Sequence, residues 1–131
     1  MDKKKFLFVD DCRQIPNDQW DVARTVTDAI RILSEENVGI ISLDHDIQND
    51  HAVVQMLSDE NFTAVARYIA AMKRENQADL IFIHTANYNG SISLKRILSK
   101  TRSQLIRVSP EGYKEDIEKF LSKWDQKDRG K

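Results

Sequence analysis

Ile40-Ile41-Ser42-Leu43-Asp44-His45-Asp46 is the stretch on which the fold turns: an apolar run that ends abruptly in two acids around a histidine. Two other runs end the same way. Phe6-Leu7-Phe8-Val9 meets Asp10-Asp11, and Leu80-Ile81-Phe82-Ile83 meets His84-Thr85-Ala86-Asn87. None of the three alternates in polarity, as expected of strands buried on both faces of a parallel sheet. In such sheets ligands bind outside the carboxyl ends of the strands. Three adjacent ends carrying acid, imidazole and amide groups are therefore the main functional signal.

Around these runs the chain alternates strand and helix. Strands are expected at 5–10, 20–25, 38–43, 79–83 and 104–108. A helix capped by Thr25 or Thr27 carries Ala29, Ile30, Ile32 and Leu33 inward. Further helices are expected at 62–75, 91–98 and 113–124, while 47–61 has no clear pattern and reads as a long connection beside the site. Residues 10–18 are polar and read as a loop, so the first crossover helix is short or missing. The implied fold is α/β, three-layered and flavodoxin-like, with a five-stranded parallel sheet of order 2-1-3-4-5. One domain, 1–125, is expected to carry a polar tail at 126–131.

Composition narrows the function. With 20 basic and 21 acidic residues the net charge is -1, which disfavours extended duplex DNA and leaves room for a small phosphorylated ligand. The single cysteine, Cys12, fits a reducing compartment, and the apolar run behind the basic N-terminus is too short for a signal peptide or a membrane span. A cytoplasmic location without membrane attachment is the expectation. Four glycines in the chain leave no place for a glycine-rich phosphate loop.

Asp10, Asp11 and Asp44 should converge, with Asp46 close by. Closely spaced carboxylates repel, so they share a proton or hold a cation, and oxygen ligands favour Mg²⁺. Asp46 either binds metal or orients a histidine. His45 and His84 are the candidate acid and base, with Asp44 beside them. Arg13, Arg24, Thr85, Asn87 and Gly90 are candidate phosphate contacts: guanidinium forks, donors, and a tight turn into a helix N-terminus. Each has a plainer reading, as a turn cap, a structural histidine, a helix cap or an arginine paired with the carboxylates. Cys12 beside acids should be a poor thiolate, and His51 is assigned no role.

Assembled in this way, the residues resemble a receiver domain of response regulators. Asp10-Asp11, Asp44 and Thr85 stand in that family's positions, but Ser109 stands where its lysine is expected. The match is closer to a divergent branch, the cyclic-phosphate processing receiver domain. It rests on Asp10-Asp11-Cys12-Arg13-Gln14-Ile15-Pro16, on Ser42-Leu43-Asp44-His45-Asp46 and on His84-Thr85-Ala86-Asn87 with Gly90. Tyr88-Asn89 departs from an expected Pro-Val. The resemblance implies recognition or processing of a cyclic phosphate on a nucleotide or RNA end. Four functions follow as alternatives: a metal-assisted phosphoesterase, a non-catalytic cyclic-nucleotide sensor or sequestering protein, a receiver phosphorylated on Asp44, and a degenerate protein-interaction module.

Overall fold

The computed structural model describes residues 4–45 and 61–129, with side chains described through Trp124. Asp46 and the segment 47–60 lie outside the described residues. Five strands form one parallel sheet: β1 (Lys5–Val9), β2 (Trp20–Ala23), β3 (Val38–Leu43), β4 (Leu80–Ile83) and β5 (Gln104–Arg107). Their order is β2-β1-β3-β4-β5, as the run of buried strands implied. All six residues of β3 and all four of β4 are buried. No helix interrupts residues 10–19, so the first crossover is a loop.

Among the described residues, helices cover the two faces unequally. On one side α1 (Val26–Glu35), α2 (Thr63–Ala71) and α3 (Tyr88–Leu98) bury Ile32, Leu33, Val65, Ile69, Leu94 and Leu98 against Leu7, Val9, Ile41, Leu43, Ile81 and Ile83. On the other, α4 (Tyr113–Arg129) sets Tyr113 and Ile117 against Phe8, Ile40, Leu80 and Phe82. Where a first helix would have completed that layer, Trp20 fills in. It is 3% exposed and meets Phe6 and Phe8 edge-on, at centroid distances of 5.3 and 6.3 Å.

Local chemistry sets the helix ends. Thr25, not Thr27, caps α1 by accepting from the Asp28 N–H at 3.0 Å, which is why β2 stops short of residues 24–25. The helix expected over 62–75 ends at Ala71, because the Gln77 amide donates to the Ile69 and Met72 carbonyls, both at 3.1 Å, and closes the helix there. Asn87 caps α3, which therefore starts at Tyr88 rather than Ser91. Helix α4 passes the expected stop at Trp124 and continues to Arg129, with neither proline nor glycine until Gly130.

The central strand should dominate stability. Ile41→Ala, at 1% exposure, is expected to cost about 4 kcal/mol, and Leu105→Ala, half-buried on edge strand β5, about half of that. Urea unfolding with an unchanged slope checks both.

Candidate functional site

Register builds the site. Val9 pairs with Leu43 and Leu43 with Ile83, so the next residues, Asp10, Asp44 and His84, stand abreast across three neighbouring strands. The ladder runs on to them: the Asp44 N–H donates to the Val9 carbonyl at 3.0 Å, and the His84 N–H to that of Leu43 at 3.2 Å. Side chains alternate along a strand, so all three follow Phe8, Ser42 and Phe82 onto the α4 side of the sheet. His45 and Thr85 come one residue later and leave that row.

Asp10 is the hub. It has no solvent exposure, yet its oxygens receive four donors. Oδ1 accepts from the backbone N–H groups of Cys12 and Arg13, both at 2.9 Å. Oδ2 accepts from Arg13 Nη1 at 3.2 Å and from His84 Nε2 at 2.8 Å. Burial alone would push its pKa up. The His84 ring and the two N–H groups outweigh burial and hold the carboxyl below the ordinary carboxylate range. Asp44 is its counterpart. It receives the His45 N–H at 2.7 Å on Oδ1 and Arg13 Nη1 at 3.2 Å on Oδ2. Burial, and next the charge of Asp10, push its pKa up despite the Thr85 hydroxyl and the His45 N–H.

The two histidines, expected to face one ligand together, are parted. His84 is fully buried. Since an ionised Asp10 can only accept, Nε2 donates to it, and Nδ1 shares a hydrogen bond with the Ser42 hydroxyl at 2.6 Å. Its ring lies parallel to Phe8 at 4.6 Å and packs on Tyr113 at 5.6 Å. Ser42, His84 and Asp10 thus have the connectivity of a nucleophilic triad. All three are at 0% exposure, so no substrate reaches the Ser42 hydroxyl; the chain of bonds orients the His84 ring and steadies the Asp10 charge.

His45 turns instead to the opening turn of α3. A Cβ placed on Gly90 would lie 2.5 Å from His45 Cγ and 2.7 Å from Nδ1. Gly90 is therefore not a turn residue but the seat of this imidazole, which lies half-buried beside Asp44 at the positive end of the α3 dipole. Thr85 is buried; its hydroxyl bonds Asp44 and accepts from the Asn87 N–H at 3.1 Å. The Asn87 side chain accepts from the Gly90 N–H at 2.9 Å as the helix cap. Arg24 does not reach the acid row through its Nη1, which donates to the backbone carbonyls of Asp10, at 3.1 Å, and of Arg13. It fastens the loop that carries Arg13. Asp11 is half-buried beside Asp10, and Cys12 is exposed with a thiol pKa pushed up by desolvation and the adjacent Asp10 and Asp11.

The sequence profile of the cyclic-phosphate processing receiver domain matches residues 5–100. The chain belongs to this family. Searches of curated proteins and of solved structures each found no match. Ser109, expected where ordinary receivers carry a lysine, acts here as a turn cap. Its Oγ accepts from the N–H groups of Glu111 and Gly112, at 3.3 and 3.2 Å. The matched segment stops before β5 and α4, although Tyr113 of α4 packs on His84 and its hydroxyl donates to the Gln14 carbonyl at 2.7 Å. No helix among the described residues is long and apolar enough to cross a membrane. Neither Ser42 nor Tyr113 is singled out by its residue pattern as a site residue. Ser42 could have been found from its place two residues before Asp44, on the same face; nothing marked Tyr113.

Two predictions follow from the geometry. The depressed pKa of Asp10 contributes stability that is complete above the unfolded value of 3.8 and is lost as pH falls through the lower folded value. The raised pKa of Asp44 acts oppositely, its cost being present above the folded value and relieved as pH falls through it. At neutral pH, Asp10→Asn is expected to lose on the order of 3 kcal/mol and Asp44→Asn to raise the melting temperature. Thermal unfolding from neutral pH to below 3.8 should show the Asp10→Asn deficit closing with acidification. Gly90→Ala should improve α3 by helix propensity yet displace the His45 ring. Its imidazole resonances would then shift in ¹H–¹³C spectra while those of His84 stay in place.

Proposed function

We propose that the domain binds a cyclic phosphate, on a nucleotide or an RNA end, at the carboxyl edge of β1, β3 and β4 and hydrolyses it. The observation that carries this reading is the His45 imidazole seated on Gly90 in the first turn of α3, next to Asp44. Helix N-termini attract phosphate, and imidazole transfers protons near neutral pH. Arg13, whose side chain is 23% exposed, adds a guanidinium at the same edge.

Opening the ring requires water to attack phosphorus as one ester P–O bond breaks, a base to take the water proton and an acid to protonate the departing oxygen. His45 is assigned the proton transfer on the accessible side. Asp44, whose pKa is raised by burial and by Asp10, is suited to hold a proton and is the second group of the pair. His84 contributes from the interior by fixing Asp10, and Thr85 by bonding Asp44. Phosphoryl transfer onto Asp44 itself has less support, since Ser109 is committed to its turn and Arg13 lies on Asp44 Oδ2.

Wild-type protein should convert 2′,3′-cyclic or 3′,5′-cyclic nucleotides to monoesters, followed by ³¹P NMR. His45→Ala should lose about 100-fold or more in rate with its unfolding midpoint unchanged. Thermal stabilisation by a ligand that is recovered intact would convert the enzyme to a sensor or sequestering protein. Neither product nor stabilisation across the panel would sink the proposal.

A further inference from the structure

Asp10, Asp44 and His84 place ligand atoms within 4.8 Å of one another, the grouping by which a divalent cation would be judged at home. The bonds already made there point elsewhere. A carboxylate offers about four lone-pair sites, and the four donors on Asp10 occupy that number. Arg13 Nη1 stands 3.2 Å from Oδ2 of Asp10 and 3.2 Å from Oδ2 of Asp44, in the position a bridging cation takes. Magnesium demands near-octahedral oxygen donors at about 2.0–2.1 Å, which Asp10 can supply only by surrendering bonds it now makes. Nor is the guanidinium loosely placed. The Arg13 N–H donates to Asp10 Oδ1, and the Arg13 carbonyl accepts from Arg24. Residue 13 is thus tied to the acid row by its backbone as well as by its side chain.

We infer that Arg13 is the resident cation of this site, standing between Asp10 and Asp44 where a metal would otherwise bind, and that the domain takes up no divalent ion there while Arg13 is in place. A guanidinium keeps its charge at every physiological pH and cannot be chelated away. The inference concerns the charge of the site and stands apart from whether a cyclic phosphate is turned over.

Mn²⁺ alone is the probe, read as loss of the free-ion EPR signal, with Mg²⁺-dependent melting temperature as a second readout. Wild-type protein should deplete Mn²⁺ no more than Asp44→Asn does, and its melting temperature should be the same in chelator and in millimolar Mg²⁺. Arg13→Gln should bind one equivalent of Mn²⁺ and melt higher with Mg²⁺. Wild-type binding that disappears in Asp44→Asn overturns the inference. So does failure of both wild type and Arg13→Gln to bind, since the acids would then not be a latent metal pair. Should Arg13→Gln not fold in chelator, Arg13→Met replaces it. If that variant also fails, recovery of folding with Mg²⁺ supports the inference and no recovery overturns it.

Discussion

A carboxylate with no access to water is the constraint under which the rest of this structure is arranged. Leaving an ion in an apolar interior costs far more than any single contact returns, so its neighbours must supply donors on every side. Asp10 receives them from its own loop, through two backbone N–H groups and the Arg13 guanidinium, and from the end of β4, on the far side of β3, through His84. Each supplier is fixed in turn: Arg13 by Arg24, His84 by Ser42 and by the rings of Phe8 and Tyr113. The candidate site residues therefore divide into a buried set, Asp10, Ser42, Asp44, His84 and Thr85, and a half-buried rim formed by Arg13 and His45.

That division follows from a count of one. In a parallel ladder where Leu43 faces Ile83, Asp44 aligns with His84, while His45 aligns with Thr85. Two histidines that look like partners when strand ends are compared loosely lie in different rows, and successive rows point to opposite faces. That Asp10, Asp44 and His84 share one sheet edge was legible in the sequence because apolar runs stop where buried strands stop. Roles were not, because they depend on the register between strands, which no single strand contains.

Other parts were opaque for similar reasons. The strand order and the missing first helix could be read from unalternating runs and from the polar loop behind β1. Arg24 could not be read, since its acceptors are backbone carbonyls that no side-chain pattern reveals. Gln77 ends α2 from beyond the helix, through a buried amide that the sequence alone does not distinguish from an exposed one. Gly90 stands out in the sequence for its freedom to turn; what it provides is absence of volume against His45.

The bare first crossover also changes what α4 does mechanically. With no helix in residues 10–19, α4 is stapled directly to the loop behind Asp10. Tyr113 and Lys114 both bond Gln14, and Asn17 bonds Glu118. Helix and loop are joined into one packed unit, with Tyr113 bonded to the loop at its hydroxyl and packed on the His84 ring. A displacement of α4 that breaks the Tyr113–Gln14 bond would pull on the segment bearing Arg13 and open the ring stack together. The N-terminal turns of a helix that reaches Arg129 are thereby tied to the loop that supplies the guanidinium shared by Asp10 and Asp44.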